Sequence, residues 1–169
     1  MAGISGLLLS ASIIAALITG TINLTLARRR SREEERSRVR TTFAEAFRAY
    51  SEYREFPNAI ARRDAARGAD ERQRLFEALR QLDARLAFYR TWALLEAPAV
   101  GAAYDALLRE ARALVHTSMR VAWSRPVDAA DVDANLDPGL VDPAALAAHE
   151  DAFRNAVATH LRTLSPRWS

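Results

Sequence analysis

The first 27 residues carry no charged side chain, and this apolar segment constrains the chain more than any other feature. A helix over residues 4–27 is about 36 Å long, which exceeds the roughly 30 Å hydrocarbon core of a bilayer. A core helix of a globular domain is seldom so long and so uniformly apolar. The segment therefore predicts a single transmembrane helix within residues 1–27.

Arginines follow the apolar segment at once, at Arg28, Arg29, Arg30 and Arg32. We define residues 28–40 as the collar; it holds seven arginines and three glutamates. Arginines that flank a membrane helix stay on the cytoplasmic side. We therefore expect the N-terminus outside the cell and the remaining domain in the cytoplasm. The four named arginines should lie at the membrane interface, each attracted to anionic lipid head groups by ~1 kcal/mol.

A cleaved secretory signal is the competing interpretation of residues 1–27. Such a signal needs a basic n-region, which is absent, and an h-region of about 7–15 residues, which this segment exceeds. Retention of the anchor is therefore the favoured prediction.

Small residues form one face of the predicted anchor, because Ser12, Ala16 and Gly20 recur at four-residue steps. Small side chains let membrane helices approach closely. This face is a candidate contact with a partner helix or with a second copy of the chain.

Three apolar runs with steps of four and three residues follow the collar, a spacing typical of helices packed side by side. The first contains Val39, Phe43, Ala46, Phe47, Tyr50 and Tyr53; the second contains Leu75, Phe76, Leu79, Leu82, Leu86, Tyr89, Trp92 and Ala93; the third contains Val100, Tyr104, Leu107, Ala111, Leu114, Ser118 and Val121. No alternating run predicts a sheet. The fold class is therefore all-α: one transmembrane helix that continues through the collar into a cytoplasmic antiparallel three- or four-helix bundle with coiled-coil-like packing, residues 41–125.

Helix-breaking and helix-capping residues predict where these helices begin and end. Pro57 should end or kink the first helix, because proline lacks the amide and clashes one turn back. Asp70 should cap the second helix, with Gln73 in the capping-box position. Ala97 should mark a tight reversal before Pro98, which suits a first helical turn.

Residues 126–142 contain five aspartates and no basic residue, which predicts an exposed acidic linker. Asp131, Asp133, Asn135, Asp137 and Asp142 also match the ligand spacing of a calcium loop. Leu136 replaces the glycine that such a loop needs, so calcium is disfavoured. Asp142 has another role, as the cap of a last helix over residues 143–164. Whether that helix, with its tail to residue 169, docks on the bundle is left open.

Nothing in the sequence predicts catalysis, a metal or a cofactor. There is no cysteine. His149 and His160 lie ~16 Å apart along one helix, too far to share an ion. All 24 basic residues are arginine, which is typical of the coding bias of GC-rich bacterial genomes. Beyond the collar, 17 arginines are balanced by 18 acidic residues, so the bundle has no basic surplus. Nucleic acid is therefore not an expected partner.

The sequence favours a membrane-anchored helical module that binds a protein partner or a second copy at the inner leaflet. A small membrane-active protein of the holin or toxin kind and a membrane-tethered regulator remain alternative hypotheses.

Overall fold

A computed structural model of the chain describes the backbone of residues 3–125 and 140–164 and the side chains of residues 23–64, 66–125 and 140–164. The α-helices are α1 (Gly3–Ala61), α2 (Gly68–Glu96), α3 (Pro98–Ser124) and α4 (Ala147–Thr163). Short 3₁₀ turns at Ala65–Arg67 and Pro143–Leu146 precede α2 and α4. These described parts contain no strand, so the all-α prediction is confirmed.

The four helices form a bundle in which each runs opposite to the one before it. Ala97 alone separates α2 from α3, as predicted, and an ion pair between Arg90 and Asp105 bridges the resulting hairpin. The contacts of Phe43 with Trp92 and of Glu52 with Arg85 together place α1 antiparallel to α2. One end of the bundle therefore gathers the collar side of α1, the Ala97 turn and the end of α4.

The predicted apolar runs supply most of the core. The residues that belong to the predicted runs and are buried in the structure are Val39, Phe43, Ala46, Tyr50, Tyr53, Leu75, Leu82, Leu86, Ala93, Val100, Tyr104, Leu107, Ala111 and Ser118. Phe76 was expected in the second stripe but is 67% exposed, and Val121 is also exposed. Both predictions are wrong because α2 and α3 each turn a narrower face to their neighbours than the runs suggested.

A close approach of backbones joins the two arms of the hairpin at Gly101. A Cβ atom added to Gly101 would lie 2.5 Å from Cα of Leu94. Real Cβ contacts are never so short, so this crossing requires a residue without a side chain. Glycine is therefore selected here by packing, although it weakens a helix interior.

Two helix boundaries differ from prediction. Of the two predicted effects of Pro57, an end or a kink, the end is wrong, since α1 continues to Ala61 with Pro57 inside the helix and fully buried. The proline removes one hydrogen bond near the end of α1, and burial of Ile60 in the core offsets that loss. Asp70 lies in the first turn of α2, which begins at Gly68 with no side-chain cap, so the predicted capping box is absent.

The last helix docks on the bundle, which settles the question left open by the sequence. Asp142 accepts a 2.9 Å hydrogen bond from the Ala144 amide and caps the 3₁₀ turn at Pro143, as predicted. Phe153 is buried, and its ring centroid lies 5.1 Å from that of Tyr104 on α3. The segment before the turn is held by Ser118, whose hydroxyl donates to the Leu140 carbonyl at 2.8 Å.

Candidate functional site

The predicted interface arginines Arg28, Arg29, Arg30 and Arg32 all lie on α1 and are exposed. They precede Val39, where α1 first contributes to the core. The predicted packing face, Ser12, Ala16 and Gly20, belongs to the same helix by its backbone, but its side chains lie outside the described residues.

A groove of about 670 Å³ lies between this part of α1 and the end of α4. Its described lining consists of Thr25, Arg28, Arg29, Arg32, Glu33, Arg36 and Leu164. A smaller hollow of about 300 Å³ adjoins it beside Ser31, Glu35 and Leu164. Three of the four predicted arginines therefore share one cavity, whereas Arg30 is absent from its lining.

Helical geometry explains which arginines meet in the groove. Arg28, Arg32 and Arg36 are spaced by four residues, and each step of four turns only ~40° around the helix. Arg30 is two residues from Arg28, which places it ~200° away on the other side of α1. The groove therefore presents one arginine-rich face of the collar.

Few carboxylates neutralise this face. By their spacing in the sequence, Glu33, Glu34 and Glu35 can pair with the arginines three and four residues further on, at positions 36, 38 and 40. Within the described residues, the collar's ion pairs are Arg38–Glu35 at 2.6 Å and Arg38–Glu96 at 3.9 Å. The Arg38 hydrogen bonds lower the pKa of Glu35. The predicted pair of Glu35 with Arg38 is therefore confirmed, whereas Glu33 and Glu34 form no ion pair within the described residues.

The arginine Arg36 has a distinctive environment in this groove. Its Nε atom is buried and has no hydrogen-bond partner among the described residues. Elsewhere in the bundle, arginines such as Arg54, Arg80 and Arg85 form ion pairs with glutamates. The groove therefore concentrates guanidinium groups for which the described residues supply no ion-pair partner.

Within the part of the chain that the structure describes, the histidines do not come together with two or more other potential metal ligands. His160 packs edge-to-face against Phe43, and its Nε2 atom lies 3.6 Å from Oε1 of Glu96. His116 is exposed on α3. Over the described ranges, no group of three or more potential ligands could hold an ion. Four of the five calcium-spacing residues, Asp131 to Asp137, lie outside those ranges, and the fifth is the helix cap Asp142.

Sequence reasoning assigned four members of the groove to no site, namely Thr25, Glu33, Arg36 and Leu164. The signal for Arg36 was present, since it continues the four-residue spacing of Arg28 and Arg32. Leu164 carried no such signal, because it reaches the collar only through the docking of α4 on α1.

Among the residues whose side chains are described, no helix is long and apolar enough to cross a membrane. The predicted anchor lies mainly in residues 1–22, whose side chains are outside that description. No protein-family model, curated protein or solved structure matches this chain.

Proposed function

We propose that this chain is a membrane-tethered helical interaction module, anchored by residues 4–27 with its bundle at the cytoplasmic face of the membrane. Residues 28–40 form the interface with anionic head groups, and the bundle carries the contact with a protein partner or a second copy.

The observation that carries the proposal is the continuity of α1. The backbone is one helix from Gly3 to Ala61, about 88 Å by helical rise. It joins the uncharged N-terminal segment, the collar and the core residues from Val39 to Ile60 without a loop. A tether built in this way holds the bundle at a set distance and angle from its anchor.

An uncovered apolar stripe on α2 supports the interaction role. Phe88 is 61% exposed and Leu95 is 82% exposed, and the seven-residue spacing places them on one face. Ala84 and Thr91 lie between them on the same exposed face. Neither α1, α3 nor α4 covers this stripe. Large exposed apolar side chains in a row are typical of surfaces that bind another protein.

The absence of cysteine makes the membrane topology directly testable. The full chain should remain in the membrane pellet after alkaline carbonate extraction. Ala2→Cys should react with a membrane-impermeant maleimide in intact cells, and Ser124→Cys should react only after permeabilisation. Ser124 is exposed at the end of α3, so lack of labelling would not arise from burial. Release of the chain by carbonate, or the reverse labelling pattern, would contradict the proposal.

The charge-insertion variant Ile14→Arg/Ile18→Arg provides the matched test of anchoring. Each arginine near the middle of a membrane helix opposes insertion by about 2.5–3.5 kcal/mol. Carbonate should release this variant from the membrane pellet, whereas Arg109→Gln/Arg120→Gln on the bundle surface should remain in the pellet.

Photocrosslinking tests the exposed apolar stripe of α2. A photoreactive residue at Phe88 or Leu95 should form adducts with a partner in membranes, whereas the same residue at Arg120 should not.

A further inference from the structure

The arginines of the groove are positioned for one compact anion. Arg28, Arg32 and Arg36 cover ~12 Å of the helix axis and ~80° of its circumference. Guanidinium groups bind phosphate oxygens through paired hydrogen bonds, which favours phosphate over other anions. Glu33 also lines the groove and supplies its one described acidic side chain. The net charge of the described lining therefore remains strongly positive.

The second wall of the groove is built by the tertiary structure. Leu164 directly follows α4 as its C-cap residue, and α4 is held against α1 by the buried Phe153 and by the contact of Glu150 with Tyr50. A volume of about 670 Å³ lies within the range of ~300–1,000 Å³ that small-molecule sites occupy. The groove is therefore a shaped site and not only a charged strip of helix.

The surroundings of the groove change from apolar to cationic along α1. Leu24 and Leu26 are exposed just before Arg28, and Leu164 forms an apolar wall beside Arg32. Helical side chains incline toward the N-terminus of their helix. The arginine side chains of α1 thus lean toward the turn that contains Thr25, where Leu24 and Leu26, ~200° apart around the helix, flank the arginine-rich face on either side. A ligand with a phosphate and an adjoining hydrocarbon chain matches this order.

We infer that the groove between residues 25–36 of α1 and Leu164, just after α4, binds the phosphate of one anionic phospholipid, with the acyl chains directed past Thr25 and flanked by Leu24 and Leu26. This inference rests on the membrane anchoring proposed above. It adds that the collar holds a lipid in a defined, saturable site that includes Arg36.

The test is native mass spectrometry of the full chain in a neutral detergent, with phosphatidylglycerol, phosphatidylcholine or inorganic phosphate added separately. One phosphatidylglycerol should be retained per chain, and phosphatidylcholine should not. The groove variant Arg28→Gln/Arg32→Gln/Arg36→Gln should weaken retention about ten-fold or more. A control with the same charge change, Arg72→Gln/Arg112→Gln/Arg120→Gln, should match the parent, because these three residues are exposed on the bundle.

A second pair of variants tests the shape of the groove without altering its arginines. Leu164→Glu should weaken lipid retention, whereas Thr163→Glu, one residue away and exposed, should leave it unchanged. Circular dichroism should show the same helix content in all four variants.

Three outcomes would overturn the inference. Equal weakening by the groove and control triples would show diffuse attraction to net charge. Displacement of the lipid by millimolar inorganic phosphate would identify the ligand as soluble phosphate. Unchanged binding in both the groove triple and Leu164→Glu would place the lipid elsewhere. Failure of the membrane proposal has a separate readout, since carbonate would then release the parent chain whatever it binds in detergent.

Discussion

The hydroxyl of Tyr50 donates a 2.7 Å hydrogen bond to Oε1 of Glu150, and so links the first helix to the last across 100 residues of sequence. Nη1 of Arg54 donates to the same oxygen at 2.9 Å. Tyr50 is fully buried, and the Glu150 side chain is only 12% exposed. This small polar cluster holds α4 in register on α1.

Removing Glu150 should destabilise the bundle more than removing an exposed carboxylate. Glu150→Ala leaves the hydroxyl of Tyr50 and the guanidinium of Arg54 without their shared acceptor, which should lower the free energy of unfolding by about 3 kcal/mol. Glu55 also pairs with Arg54 but is exposed, so Glu55→Ala should cost about 0–1 kcal/mol. Urea unfolding of the two variants would measure the difference. Equal losses would show that the cluster does not hold α4.

The buried tyrosines should make the fold sensitive to alkaline pH. Burial raises the pKa of Tyr50, with the Glu150 contact adding to the effect, and burial also raises the pKa of Tyr53 and Tyr104. Because the folded pKa lies above the unfolded value, their stabilising contribution is complete below pH ~10 and is lost as the pH rises. Each such tyrosine should lower the free energy of unfolding by about 1.4 kcal/mol per pH unit above that point.

Denaturant titrations between pH 9 and 11 would check this slope. Tyr104→Phe removes one of the three groups and should reduce the slope by about a third. A free energy of unfolding that stays level over this pH range would contradict the prediction.

Gly101→Ala separates helix propensity from packing, because the two effects have opposite signs. Alanine is favoured over glycine in a helix by roughly 0.5–1 kcal/mol. The added Cβ would overlap the Leu94 backbone, and overpacking of this kind costs about 1–3 kcal/mol. We expect net destabilisation in thermal unfolding, with Ala102→Ser, an exposed neighbour on α3, as the control. A rise in Tm for Gly101→Ala would refute the close crossing of α2 and α3.

Arg63 should act as a C-terminal cap for α3. Its guanidinium donates to the carbonyls of Ala122 at 2.9 Å and Arg125 at 2.7 Å, and it lies 5.1 Å from the Trp123 ring centroid. Arg63→Gln should lower the free energy of unfolding by about 1.5 kcal/mol and change the tryptophan fluorescence. Arg62→Gln is the matched control, because among the described residues the Arg62 side chain bonds the Asn58 carbonyl in the last turn of α1 and does not contact α3. If both variants lose the same free energy of unfolding, Arg63 does not cap α3.

Self-association through the predicted anchor can be tested with single cysteines. If the face of Ser12, Ala16 and Gly20 joins two copies, cysteine at these positions should form disulfide-linked dimers in membranes under mild oxidation. Ile14→Cys and Ile18→Cys lie on the opposite side of the helix and should crosslink poorly. Efficient dimers at Ile14 and Ile18 instead would reject this face as the contact.

The core was predictable where its signal is local. The four-and-three spacing from Val39 to Tyr53 and from Val100 to Ser118 placed those residues inside, since neighbours on one chain determine a helical face. The reversal at Ala97 was predictable for the same reason, because Pro98 restricts the backbone directly beside it.

Local signals failed where a distant contact outweighed them. Pro57 has the chemistry of a helix terminator, yet burial of Ile60 in the core keeps α1 helical past it. Phe76 has the right spacing and hydrophobicity for the core, yet no neighbouring helix reaches it.

The sequence alone determined that the chain is helical, where α2 turns into α3, and that an uncharged segment is followed by a collar of arginines. Tertiary structure decided that α4 returns along α1, that Tyr50 meets Glu150, and that Leu164 faces Arg32 to close a groove. The physical reason is the distance along the sequence over which each feature is determined. Helix formation and amphipathicity depend on residues within a few turns, whereas a groove depends on which two faces meet after 100 or more residues of intervening chain.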